Sequence, residues 1–172
     1  MFKDISNFNN IEDYLPILTA IIIVDMIFII LSYTNIIQSI YLKLWYKKFL
    51  LSAILADVSL IFIGIIFVRA IYNYIFTTFT IINFILLMVA IQIIHDILFY
   101  IMINIIPRGS NQIIDILKDY ADEVSYYAII GDSLMVIAIG FLASYLAYFN
   151  TNTNIIILAI FVYLLQFFLY LT

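Results

Sequence analysis

Apolar residues run along this chain in five long stretches separated by short polar intervals. Crossing a hydrocarbon core takes about 20 apolar residues in a helix. Five spanning helices are therefore predicted, over about 15–38, 49–71, 81–106, 125–149 and 155–171. The interval after the third has a different pattern. A turn, Pro107-Arg108-Gly109-Ser110-Asn111, leads into a segment over about 111–124. There Ile113, Leu117, Tyr120 and Val124 share one side, with Asp115, Lys118, Asp119, Asp122 and Glu123 around the other. That is the pattern of a short amphipathic helix lying in the interface. Residues 1–14 are polar and Asn-rich and read as an exposed N-terminal segment, leaving 15–172 as one transmembrane domain. Asp13 is placed to cap the first helix, and Pro16 suits its first turn.

Composition agrees with the pattern. The chain has 172 residues, of which 67% are hydrophobic and 10% charged, and its mean hydropathy is +1.20. A soluble domain of this size has too little interior to hide that much apolar surface. Four Gly and two Pro are too few for the many turns of a β-barrel. The expected fold is an all-α integral membrane protein, a bundle of five transmembrane helices plus the interfacial one. The absence of Cys excludes disulfides and thiolate metal sites. A net charge of −4 offers no basic surface to nucleic acid. The partners this predicts are the lipid bilayer and protons or small cations, and the composition is compatible with a homo-oligomer.

Lys43, Lys47, Lys48, Arg108 and Lys118 fall after the first and third helices, against Lys3 and Arg69 on the other side. The positive-inside rule then makes the N-terminus extracytoplasmic and the C-terminus cytoplasmic. Tyr41, Trp45 and Tyr46, interleaved with those lysines, read as an aromatic and basic interfacial anchor. Arg69, near the end of the second helix, reads as snorkelling to the interface, with Glu12 or Asp13 as its nearest acids.

The polar residues inside the spans carry the candidate chemistry. Asp25, Asp57, Asp96 and Asp132 lie one to each of the first four helices, with His95 beside Asp96. Gln92, Asp96, Tyr100 and Asn104 recur every four residues. Ala53, Asp57, Leu60 and Gly64 share a face, as do Ala128, Asp132, Val136, Gly140 and Ser144. Small residues beside an acid mark the side that packs on other helices. Ala159, Tyr163, Gln166 and Tyr170 are the expected inward face of the last helix. Counted from the predicted ends, Asp57, Asp96 and Asp132 lie about 10–15 Å deep, with Asp25 nearer the midplane.

The two halves resemble each other. Ile22-Ile23-Val24-Asp25-Met26-Ile27-Phe28 reads like Ile93-Ile94-His95-Asp96-Ile97-Leu98-Phe99, and Leu55-Ala56-Asp57 like Ile130-Gly131-Asp132. Two helices per unit make this a parallel repeat, both units entering the membrane in the same sense.

An acid at a helix centre costs about 2.5–3.5 kcal/mol on insertion scales, so these acids face protein or water. No Lys or Arg lies at their depth. They must stay neutral, share protons, bind a cation or be hydrogen-bonded. The first reading is an acidic intramembrane site binding or translocating protons or small cations, built from Asp25, Asp57, His95, Asp96 and Asp132, with Gln92, Tyr100 and Gln166 in support. The second is a non-enzymatic component of a virion or organelle membrane, in which the acids only fix packing. No P-loop, GxSxG or HExxH motif occurs, and no cofactor or metal site is expected.

A third reading comes from a resemblance. His95-Asp96 and Ile129-Ile130-Gly131-Asp132, on successive helices, resemble the paired YD and GxGD aspartates of presenilin-type intramembrane proteases. The resemblance implies that Asp96 and Asp132 share a proton and activate water. It spans some forty residues, with His95 where the family has Tyr, Ile129 where it has Gly, and no following Pro-Ala-Leu.

Overall fold

A computed structural model describes residues 2–171. Seven α-helices and one short 3₁₀ turn make up the fold, with no strand among the described residues. Five helices are long and apolar enough to cross a membrane: α1 (Tyr14–Tyr33), α3 (Leu51–Ile75), α4 (Ile81–Ile105), α6 (Tyr127–Leu146) and α7 (Thr151–Leu169). The other two, α2 (Ile40–Phe49) and α5 (Gln112–Val124), are short. The protein is a polytopic helical membrane protein, as its hydropathy pattern predicts.

The helix α2 is a correction. Residues 41–48 read as an anchor, and the first helix as reaching about 38. Instead α1 stops at Tyr33. Asn35 takes a left-handed conformation (φ 61°), which Asn tolerates better than most residues. Ser39 then opens α2, its hydroxyl accepting from the Leu42 amide at 3.0 Å. The helix buries Trp45 and Tyr46 and leaves Lys47 and Lys48 exposed. It packs alongside α5. Together they form a polar layer across one end of the bundle.

The four spans α1, α6, α4 and α3 form a closed ring in that order, each packing on the next, while α1/α4 and α3/α6 lie across it as diagonals. Gly140 lets α6 approach α4, since a Cβ there would sit 2.7 Å from Ile85 Cγ1. The last span, α7, leans on α1 from outside the ring.

The repeat expected as two helices per unit is a three-helix pattern. The segments α1–α2–α3 and α4–α5–α6 each run span, interfacial helix, span. Each interfacial helix starts on a capping side chain, Ser39 or Asn111. Each passes into the next span through a non-glycine residue of positive φ: Leu50 at φ 47°, ψ −120° and Ser125 at φ 52°, ψ −133°. An acid follows seven residues later in both, at Asp57 and Asp132.

Four further expectations change. The N-terminal segment is not simply exposed: Ile5, Ser6 and Asp13 are buried against the ring. Lys3 donates to the Ala147 carbonyl at 2.8 Å, and the Ser144 hydroxyl donates to the Lys3 carbonyl at 2.6 Å. Arg69 does not snorkel. Its guanidinium is buried under that segment, bonded to the Asn7 and Asn10 carbonyls, 3.5 Å from Asp13 and stacked 4.1 Å from the Tyr14 ring. Asp13 accepts from Asn10 at 2.8 Å rather than capping α1. Lys118 is buried too, because it reaches the Ile106 carbonyl at the end of α4, where a cation suits the helix dipole.

The packed faces shift in two helices. In α3 the buried stripe is Ala53, Ile54, Val58, Ile61, Ile65, Val68, Arg69 and Tyr72; Leu60 is exposed. Bulky aliphatics, not small residues, set that face. The helix α7 begins at Thr151, where a loop is expected, because Asn150 caps it, accepting from Thr153 N at 2.8 Å. Asn154, buried, then ties α7 to the Leu146 carbonyl of α6 at 3.1 Å. This turns Leu165 and Leu169 inward and leaves Ala159, Tyr163, Gln166 and Tyr170 exposed.

Candidate acid layer inside the membrane

Each ring helix contributes one acid, and the corrected end of α1 brings all four to one depth. Asp25 lies eight residues before Tyr33 and Asp96 nine before Ile105, while Asp57 lies six residues inside the start of α3 and Asp132 five inside that of α6. At about 1.5 Å per residue, that is a layer about 8–14 Å inside the α2–α5 end. Asp25 therefore belongs with the other three and not nearer the midplane.

The partners of the acids differ. Asp57 accepts from the indole Nε1 of Trp45 at 3.1 Å. Asp96 accepts from Gln92 Nε2 at 2.7 Å through the oxygen that lies 3.3 Å from His95 Nδ1; its other oxygen is buried without a partner. Asp25 is fully buried, and neither carboxylate oxygen has a hydrogen-bond partner. Among the described residues no Lys or Arg pairs with Asp25, Asp57, Asp96 or Asp132.

Two tyrosines from the interfacial helices reach into the layer. Burial pushes the Tyr46 phenol well above its ordinary range, and the nearby carboxyls of Asp25, Asp57 and Asp132 add to the shift. Tyr120 is raised in the same way, first by burial and then by Asp132, Asp57, Asp96 and Glu123. Both effects favour the neutral phenol. Two neutral hydroxyls able to donate and accept thus sit among the four acids.

A single carboxylate holds the two interfacial helices together. Glu123 of α5 accepts from the Ser39 hydroxyl, from Ile40 N at 2.8 Å and from Tyr41 N at 3.1 Å. It thereby satisfies the free amides at the start of α2, where the helix dipole also favours an anion. Partial burial would raise its pKa, but the bonds from Ser39, Ile40 and Tyr41 outweigh that and hold it below its ordinary value.

Of the residues expected in the site, Asp25, Asp57, Asp96, Asp132, His95 and Gln92 lie in or beside this layer. Tyr100 does not: it is 53% exposed on the outer side of α4. Gln166 is exposed on α7, outside the ring. His95 is half-turned outward, lining an otherwise apolar groove of about 460 Å³ between α3 and α4 with Phe67, Ile91 and Leu98. No three His, Cys, Asp or Glu side chains among the described residues come together as a metal ion requires.

Trp45, Tyr46 and Tyr120 are the residues that sequence reasoning missed, because Trp45 and Tyr46 read as an interfacial anchor and Tyr120 as part of the apolar side of an interfacial helix. A signal was present. Trp45 precedes Asp57 by twelve residues, and Tyr120 precedes Asp132 by twelve. Comparison with protein-family models, curated proteins and solved structures finds no match. The likeness to presenilin-type proteases thus rests on the two short motifs alone.

Proposed function

We propose that this membrane protein binds or translocates protons, or small cations, at an acid layer formed by Asp25, Asp57, Asp96 and Asp132 with His95 as the exchanging group. The observation that carries the reading is Asp25, fully buried with both carboxylate oxygens unpartnered. Packing glue is hydrogen-bonded, because an unpaired buried polar group is costly. An acid kept at lipid depth beside the Tyr46 hydroxyl but without a counter-ion is better accounted for by a proton or cation that it takes up and releases. Protons fit better than metal ions, since no multidentate ligand set forms. His95, with Nδ1 3.3 Å from Asp96 and its ring half-turned outward, is placed to hand a proton to or from that acid.

The test is proton uptake by the protein in nanodiscs, titrated between about pH 5 and 9 beside a variant with all four aspartates changed to Asn. Asn keeps the shape and a hydrogen bond. The expected result is at least one proton fewer taken up by the variant. Equal uptake with both proteins folded would leave the acids as packing residues of a structural membrane component.

A second reading, an aspartyl protease-like enzyme, draws on Asp96 and Asp132, which are electrostatic neighbours on adjoining α4 and α6. The groove beside His95 is lined by neither aspartate. Cleavage of a transmembrane peptide, lost in both Asp96→Asn and Asp132→Asn, is the result that would favour it.

A further inference from the structure

The acid layer is not centred between the two ends of the ring. From Asp57 to Arg69 in α3, from Asp25 back to Asp13 at the start of α1, and from Asp132 to Ser144 in α6, the distance is twelve residues each time. That is about 18 Å of helix between the acids and the polar contacts of the N-terminal segment. Apart from Gln92, one turn from Asp96 and bonded to it, the ring interior over this length is apolar: Ile21, Ile65, Phe84, Met88, Val136 and Ile139 are all buried. The Thr19 hydroxyl is spent on its own helix, donating to the Leu15 carbonyl at 2.8 Å. A gap beside Gly64 and Met88 measures about 10 Å³, no more than one water needs. Beyond it the segment held by Arg69, Ser144 and Ala147 closes the far end. Beyond Gln92, the buried residues of this stretch offer no chain of groups to relay a proton.

The other side differs at every point. Trp45 bonds Asp57 directly. Tyr46 and Tyr120 stand among the carboxyls. The titratable and polar groups facing the layer are Asp25 from α1, Trp45 and Tyr46 from α2, Asp57 from α3, and Gln92, His95 and Asp96 from α4. Tyr120 and Glu123 come from α5, and Asp132 from α6. The exposed edge of this set is Glu123, which joins α5 to the start of α2.

We infer that the site exchanges protons with one aqueous phase only, the one on the α2–α5 side, and that the α2–α5 pair latched by Glu123 is its gate. The inference rests on the proton-binding reading and adds a side and a door to it. Protonation of Asp57 weakens the charge-assisted bond from Trp45, so the occupancy of the site is felt directly by α2.

The chain carries its own reporter, because Trp45 is its one tryptophan and it has no Cys. Full-length protein is placed in liposomes whose inner and outer buffers are set independently, and orientation is sorted by labelling Lys48→Cys from outside. Acid applied on the α2–α5 side is expected to shift Trp45 emission. Acid applied on the N-terminal side is expected to leave it unchanged while the gradient holds. Asp57→Asn is expected to remove the shift. Glu123→Gln is expected to speed it by roughly tenfold, through loss of the charged latch; Ser39→Ala weakens the same latch should that variant not fold. An equal response from both sides overturns the one-sided site while leaving proton binding intact. Absence of response from either side overturns proton binding at Asp57 and the inference with it. A wild-type rate in both latch variants removes the gate.

Discussion

Asp13 and Arg69 show what a buried charge pair does in this protein. Both side chains are fully buried, and two guanidinium nitrogens, Nε and Nη1, have no partner. Such a pair is weak support for stability as a whole, but removing Arg69 leaves the buried Asp13 with Lys3 at 3.8 Å and Asn10 as its remaining partners. Arg69→Ala is expected to cost about 3–5 kcal/mol, read as a lower midpoint in denaturant titration in detergent. The double change Asp13→Leu with Arg69→Met is expected to recover most of the loss, because an apolar pair of similar volume needs no solvation. A double variant as unstable as the single one would mean that the Asn7 and Asn10 carbonyls, not Asp13, set the cost.

At the scale of elements, the layer of α2 and α5 is the part whose stability depends on pH. Glu123 has an ordinary value of 4.5 and is lowered in the fold, so its contribution is present above about pH 4.5 and is lost as pH falls through the lower folded value. Tyr46 and Tyr120 have an ordinary value of 10.0 and are raised, so their contribution is intact below about pH 10 and is lost as pH rises beyond it. Protection of the Ile40 and Tyr41 amides against exchange, relative to the intrinsic rate at each pH, should therefore be lost in acid before that of the spans. In Glu123→Gln it should be fast already at neutral pH, and unchanged exchange in that variant would remove Glu123 as the cap. The junctions into α3 and α6 make a separate prediction. Ser125 occupies a backbone region that costs a side-chain-bearing residue about 1–3 kcal/mol and glycine very little. Ser125→Gly is expected to stabilise the protein by about 1 kcal/mol after the greater freedom of glycine in the unfolded chain is counted. A lower melting temperature in this variant would show that the junction is unstrained.

For the whole molecule, the topology places the N-terminal segment at one end of the ring and α2, α5 and the last turn of α7 at the other, where the Tyr33 hydroxyl donates to the Leu169 carbonyl. With five of the seven basic residues at the α2–α5 end, that end is expected to be cytoplasmic. Asn9→Cys and Lys48→Cys report the two ends, both positions being exposed; Tyr46 is buried and would not. Labelling of position 48, but not of position 9, from the cytoplasmic side is the expected outcome, and the reverse would invert the orientation.

Hydropathy by itself determined the class of the fold, the five spans and α5, because burial in lipid needs long apolar runs and an interfacial helix needs a two-faced one. It also marked the four acids, since an aspartate in such a run is conspicuous whatever its neighbours. Three things were decided only by tertiary structure. The first is where α1 ends: the chain turns at Asn35 because α2 is held at its start by Glu123 of α5, and this draws Asp25 into line with the other acids. The second is which face of α3 and α7 turns inward. When a helix is apolar all round, its own pattern does not distinguish lipid from protein, and the choice falls to single contacts such as Asn154 with α6. The third is the company the acids keep. Trp45, Tyr46 and Tyr120 meet them only because α2 and α5 fold back over the ring, and Arg69 leaves the interface only because residues 2–13 fold over it. Such contacts join residues far apart in the chain, and no local periodicity encodes them.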